Sequence, residues 1–284
     1  MIELAKLDPD KTKDQITNFI KTMKMDSKAN GIAIGLSGGL DSSIVAYLLK
    51  EAIGGENVLA IYMDSSTSPI EDKKHARLMA ENLNISYKEI AIDDLFNDFI
   101  KLANDSNPNL PDVSVNEGFD ENIQKIAEGN LKARIRMSIL YYYANLNNFL
   151  VAGTSNKSEL LIGYFTKYGD GAGDILPIAN IYKSQLKVLA NEWNIPEEII
   201  NKPPSAGLRL GQTDEDEIGL SYEVLDKLLY LLVEKKLAND SILKEMNIST
   251  MEINMVRERI ENNKHKLQFP SSPWTIEKLY WLFS

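Results

Sequence analysis

Cysteine is absent from the 284 residues, and histidine occurs only twice, at His75 and His265. No disulfide, thiolate zinc site or cysteine nucleophile can come from this sequence, and two histidines argue against a histidine-rich metal cluster. Long apolar runs are lacking too: none approaches the ~20 residues that a bilayer-crossing helix needs. Positive charge is in the minority, 31 Lys and Arg against 41 Asp and Glu, for a formal net charge of −10. That balance argues against a general nucleic-acid surface, which needs a basic face. The N-terminus, MIELAKLDPDKTKDQ, lacks the basic-then-apolar pattern of a secretory signal. A cytoplasmic protein with neither a nucleic-acid nor a membrane partner is expected.

What is present is ordinary globular composition, 44% hydrophobic and 25% charged, in a length that suits one large α/β domain or two small ones. We read residues 1–284 as a single domain. Ile16, Phe19, Ile20 and Met23 recur at helical spacing and predict an N-terminal helix within 10–29. Short β-rich runs predict strands at Ile32–Leu36, Val58–Met63, Tyr87–Ile92 and Phe149–Ala152. Helical patterns at 42–53, 70–83, 93–103 and about 118–146 lie between them. This alternation predicts an α/β fold, a Rossmann-like parallel sheet with helices on both faces. The second half is mostly helical: 155–164, 183–192, 221–236, 239–246, 249–262 and 273–282. Two loop-like stretches interrupt it, Tyr168–Leu176 and Pro203–Asp214.

The chemistry starts at GIAIGLSGGLDSSIVAYLLK, residues 31–50, where a strand runs through Ser37-Gly38-Gly39-Leu40-Asp41-Ser42-Ser43 into a helix. In open α/β sheets ligands bind beyond the carboxyl ends of the strands. A helix starting there offers unpaired N–H groups and a positive dipole end, both suited to phosphate. Gly38 and Gly39 let an anion approach the backbone, and the serines add hydroxyl donors. Asp41 would repel phosphate unless a Mg²⁺ lay between them. The plain alternative is a glycine turn with a Ser/Asp N-cap. The loop is neither a Walker A sequence nor a GxGxxG turn.

SGGLDSS resembles the SGGxDS loop of the ATP pyrophosphatase superfamily, shared by asparagine, GMP and NAD synthetases and tRNA-modifying ligases. GNLKARIRM (129–137), GTSNKSELLIGYFTKYGDGAGD (153–174), LPIANIYKSQ from Leu176, PPSAGLRLGQTDEDEIGLSYEVLD from Pro203, and His265-Lys266 resemble the ammonia-dependent NAD synthetases. The similarity runs from about residue 30 to 270. It implies an adenine nucleotide alpha hydrolase-like fold and a ligase. That ligase adenylates the pyridine carboxylate of deamido-NAD⁺ with ATP, releases pyrophosphate, and lets ammonia displace AMP to give NAD⁺.

The resemblance also implies a site. ATP would contact Gly35, Leu36, Ser37, Gly38, Gly39, Leu40, Asp41, Ser42, Thr154, Lys183 and Ser205, the last standing where the family has threonine. Mg²⁺ would be held by Asp41 and Glu159. Deamido-NAD⁺ would meet Arg134, Lys167, Asp174, His265 and Lys266, with Asp41, Lys183 and Asp174 as the catalytic set. From the residues alone, Glu159 also reads as a first-turn helix acid, Thr154 as a helix cap and Lys183 as a solvent-exposed lysine. Arg136 reads as a structural ion pair, Lys73-Lys74-His75 as a solvated face, and the acidic run Asp214–Glu217 as a first helical turn capped by Thr213. With no cysteine and about 30 residues before the first strand, a glutamine-hydrolysing domain is not expected here, so free or separately delivered ammonia is. The family is homodimeric, and the 118–146 helix with Tyr141-Tyr142-Tyr143 is the expected interface element. Other readings are a GMP-synthetase-like ligase, a tRNA ligase, a non-catalytic ATP sensor, or a degenerate subunit that needs a partner.

Overall fold

The structure is a computed structural model that describes residues 3–104, 121–204 and 213–268. Four strands, β1 (Gly31–Gly35), β2 (Val58–Asp64), β3 (Ser86–Ala91) and β4 (Phe149–Ala152), form one sheet in the order β3-β2-β1-β4. All three pairings are parallel, with Ile32 opposite Val58 and Leu150, and Leu59 opposite Ser86. Strands β1 and β2 sit in the middle and are buried on both faces, which is why they read as near-continuous apolar runs.

Before and between the strands come α1 (Pro9–Ser27), α2 (Leu40–Ile53), α3 (Ile70–Leu83), α4 (Asp93–Asn104) and α5 (Glu121–Asn147). One side of the sheet carries the main core, where Ile20 of α1, Leu48 and Leu49 of α2 and Met79 of α3 pack on Ile32 and Ile34. On the other, Leu140 and Ala144 of α5 cover Ala33, Ile61 and Val151. The alternation Ile32–Ala33–Ile34 thus splits β1 between two cores.

Beyond β4 follow α6 (Lys157–Ile162), α7 (Lys183–Glu192), α8 (Glu197–Ile200), α9 (Asp214–Ile218), α10 (Tyr222–Leu229), α11 (Asn239–Glu245) and α12 (Thr250–Asn263). Helix α7 joins the main core through Leu186 and Leu189. A second core of Leu225, Leu228, Leu229, Ile242, Ile253 and Val256 holds α10, α11 and α12 together. The expected 221–236 helix is continuous in direction but changes pitch, becoming a π-helical turn over Tyr230–Glu234. The 168–176 stretch is a run of turns and irregular backbone, as expected, and is anchored at its end. Asp174 N–H and Ile175 N–H both donate to Val151 O, at 2.8 and 3.2 Å, and Ile175 bridges Ala152 in parallel, so the stretch ends against β4. The expected 273–282 helix lies outside the described residues.

Candidate active site

A cavity of about 340 Å³ opens at the carboxyl ends of β1, β2 and β4. Its wall includes Gly35, Leu36, Ser37, Gly39, Leu40, Asp41 and Ser42, together with Thr154, Glu159 and Lys183. The strand-to-helix turn is tied by its own hydroxyls. Ser42 and Ser43 donate to Gly39 O at 3.1 and 2.8 Å, Ser42 Oγ accepts from Ser37 N–H at 3.2 Å, and Gly39 N–H donates to Ser37 Oγ at 3.3 Å. Gly38 has φ +75°, and a Cβ there would stand 2.1 Å from Asp72 O. Both facts require glycine.

The alternative of a side-chain N-cap is not what forms. Gly39 caps α2 without a side-chain bond, and Asp41 turns its carboxylate into the cavity. There its Oδ2 accepts from the Lys183 ammonium and, at 3.4 Å, from Asn156 Nδ2. Asp41 Oδ1 is buried and has no hydrogen-bond partner. Glu159 is both a first-turn acid and a member of this group. Its Oε2 accepts from Asn156 N–H at 3.3 Å in a capping box, while its Oε1 lies 3.6 Å from Lys183 Nζ. Asn156 is the cap of α6, which leaves Thr154 free of that duty on the cavity wall.

Lys183 is not solvent-exposed; only 12% of its side chain is accessible. Burial disfavours its ammonium, yet Asp41 and then Glu159 more than compensate and hold it above the usual lysine range. For Glu159 the balance runs the other way. Burial, and after it the Asp41 charge, push its carboxyl well above the usual range, against the pull of Lys183. A cation therefore lies between two carboxylates at the mouth of the glycine turn.

That donor set fits a hard divalent cation. The orphaned Asp41 Oδ1 is an oxygen ligand without a partner, and Glu159 supplies a second carboxylate beside it. Among the described residues no group of three or more His, Cys, Asp and Glu is arranged for a metal, so the remaining ligands would come from phosphate and water.

The sequence reading passed over several members of the cavity. Asp214 does open a first helical turn capped by Thr213, but it is only 4% exposed. It accepts from Tyr164 and Tyr222 hydroxyls, both at 3.2 Å. No sequence signal separates it from Glu215, Asp216 and Glu217, because Tyr222 reaches it from α10 and Tyr164 from the segment after α6. Arg136 lines the cavity too, and the expected ion pair is corrected: it donates to Met63 O and Ser65 Oγ, both at 3.1 Å. Burial pulls its pKa down. Lys73 is not simply solvated; it pairs with Glu89 of β3 at 2.9 Å.

The residues expected at the second substrate lie outside the cavity wall and form a looser set. Arg134 Nε donates to Lys167 O at 3.3 Å, and Lys167 Nζ donates to His265 O at 2.8 Å, so these three are brought together. Lys266 donates to Gly163 O and Phe165 O at 2.7 and 3.0 Å. Asp174 stands apart, accepting from Val151 N–H at 2.7 Å and Tyr141 OH at 3.2 Å. Ser205 lies outside the described residues.

A parallel sheet with helices on both faces, and a serine–glycine turn, an acidic pair and a buried lysine at its carboxyl edge, define a Rossmann-like α/β fold of the phosphate-loop type. Comparison with known proteins narrows the class. The sequence model described as NAD synthase matches residues 12–270. An NH(3)-dependent NAD(+) synthetase of Methanocaldococcus jannaschii is 47% identical over 92% of this chain and 95% of its own length. One from Thermococcus sibiricus is 39% identical over 95% of this chain and 99% of its own. Among solved structures, the NH3-dependent NAD synthetase from Campylobacter jejuni superposes with TM-score 0.75 at 34% identity, covering 94% of this chain and 100% of that one. An NMN synthetase from Francisella tularensis reaches TM-score 0.79 at 31% identity over 95% of this chain and 100% of that one. The chain belongs to the NAD synthase family, a family of ligases.

Proposed function

We propose that the protein amidates deamido-NAD⁺ with ammonia at the expense of ATP, giving NAD⁺, AMP and pyrophosphate through an NAD-adenylate. The observation that carries this reading is the Asp41–Lys183–Glu159 group set beside the Ser37–Ser42 turn at the carboxyl edge of the sheet. The turn's N–H groups and hydroxyls suit the leaving pyrophosphate. Asp41 and Glu159 would hold Mg²⁺, which supplies charge screening when bound. Lys183 neutralises phosphate charge as the pyridine carboxylate attacks the α-phosphorus. The P–O bond to pyrophosphate breaks as the acyl–phosphate bond forms. Ammonia then adds to the acyl carbon and gives up a proton to solvent, and AMP departs with the C–O bond's electrons. Positioning and electrostatics carry both steps.

Thr154 and Ser205 would complete the ATP site. Arg134, Lys167, His265, Lys266 and Asp174 would bind deamido-NAD⁺, and Asp174 would accept from a ribose hydroxyl or from ammonium. One domain over 1–284, acting in the cytoplasm as a homodimer, completes the reading. Support for the dimer comes from exposed apolar side chains on the packed helices α4 and α5, among them Phe99, Leu102, Ile123 and Ile126.

The test is pyrophosphate release from the purified protein with Mg-ATP, deamido-NAD⁺ and ammonium, each omitted in turn. Release that requires deamido-NAD⁺, with NAD⁺ and AMP formed when ammonium is present, is expected. The likeness to an NMN synthetase makes nicotinate mononucleotide the rival acceptor, and preferred turnover of it would reassign the substrate. ATP binding with no release on either acceptor would favour a nucleotide sensor.

A further inference from the structure

A second, part-buried ion pair lies beside the glycine turn. Lys202 pairs with Asp72 of α3, and their side chains are only 20% and 13% accessible. Both residues line the cavity described above. The turn itself rests on Asp72: an ideal Cβ at Gly38 would lie 3.0 Å from Asp72 Cα and 2.1 Å from its carbonyl oxygen. The Asp72 side chain therefore starts against the turn, and the ammonium it holds belongs to the same cavity wall as the turn. Lys202 is also firmly placed. Ile199 and Ile200 before it are buried in the main core, and two residues after it Pro204 O accepts from Asp214 N–H at 3.0 Å.

The cavity places the carboxylates of Asp41, Asp72, Glu159 and Asp214 around a turn built for phosphate. Lys183 is already shared between Asp41 and Glu159. A polyphosphate entering such a site needs positive charge on both flanks, and a lysine's flexible stem and rotatable donors let it exchange a carboxylate for a phosphate oxygen.

We infer that Lys202 is a phosphate-binding residue, held at the turn by Asp72 and transferring its ammonium to the terminal phosphates of the bound nucleotide. This rests on the reading of the cavity as an ATP site.

The experiment measures binding of inorganic pyrophosphate, ATP and AMP, each with magnesium, to the full-length wild type and to Lys202→Met, Lys202→Arg and Asp72→Asn, alongside thermal melts. Lys202→Met is expected to weaken pyrophosphate and ATP by about tenfold or more while leaving AMP unchanged. Lys202→Arg should recover most of that loss. Asp72→Asn keeps the lysine but breaks the pair, so pyrophosphate affinity should hold or rise. A merely bracing pair predicts the reverse: AMP weakened with the rest, a lower melting temperature, and Asp72→Asn as damaging as Lys202→Met. That pattern, or unchanged pyrophosphate binding in Lys202→Met, would overturn the inference. Should Lys202→Met not fold, the other two variants still decide. Failure of the wild type to bind ATP and pyrophosphate would instead overturn the ATP reading itself.

Discussion

Asp41 occupies the first turn of α2, where a carboxylate is favoured by the helix dipole, yet its hydrogen bonds go outward to Lys183 and Asn156 rather than back to the helix. Its second oxygen, buried without a partner, costs stability unless something pairs with it during function. Replacing it with Asn retains size and shape but removes the charge that would hold a metal. Asp41→Asn should lower pyrophosphate release by roughly 100-fold or more, the order expected for losing a charge-stabilising group, with little change in melting temperature. Near-wild-type turnover would defeat the metal role.

At the scale of elements, the site depends on how helix starts are tied together. Asp226 of α10 is fully buried. It accepts from Ser158 Oγ of α6 at 2.5 Å and from Ser184 N–H of α7 at 2.8 Å, while Ser158 Oγ in turn accepts from Lys183 N–H at 3.0 Å. One carboxylate thus sets the start of α7, which carries Lys183, against α6, which carries Glu159. Asp226→Ala strands two buried donors and should cost about 2–4 kcal/mol in a urea denaturation series. Lys183 would lose its placement with it, so turnover should fall in the protein that remains folded.

Strand β3, at the sheet's edge, is tied to α3 by Glu89, which meets Lys73 at 2.9 Å and Arg77 at 2.7 Å. Burial opposes the Glu89 charge, but the hydrogen bonds from Lys73 and Arg77 outweigh it and set its pKa below the usual 4.5. A depressed carboxylate pKa adds stability above the unfolded value, and that stability is lost as pH falls through the folded one. Glu89→Gln should therefore cost under about 1 kcal/mol at neutral pH. The difference from wild type should shrink as pH falls below 4.5 and vanish once pH lies under the folded-state pKa. A difference that persisted there would show that packing, not charge, is at stake.

At the scale of the whole molecule, α4 and the start of α5 present apolar side chains to solvent. Leu95 and Phe99 are 52% exposed and Leu102 73% exposed, while Ile123 and Ile126 of the adjoining α5 are 54% and 50% exposed. Several large apolar side chains on two packed helices are more than a monomer ordinarily leaves bare. Sedimentation velocity should find a homodimer, and the Phe99→Glu, Leu102→Glu pair of changes should shift it to monomer. A wild type that sediments as a monomer would remove the dimer from the proposal.

Much of this was legible before the structure. The four strands lie within a residue or two of their expected bounds, because β-rich apolar runs between amphipathic helices have few other solutions. The glycine turn was legible too, since two adjacent glycines flanked by hydroxyls at a strand end mark close backbone approach to an anion. What the sequence by itself determined, then, is the α/β class, the phosphate-suited turn, the exclusion of cysteine chemistry and the likeness to NAD synthetases. Tertiary structure alone decided which charges meet. Asp41, Glu159 and Lys183 come together because β1 and β4 are adjacent in the sheet and Asp226 sets α6 beside α7. Asp214, Arg136 and Lys202 join the cavity through contacts 50 or more residues away in the chain, with Tyr164, Met63 and Asp72. Local pattern reports which face of an element is apolar; it carries no record of what lies opposite a charge. That is set only when the packed elements bring distant positions within a few ångströms.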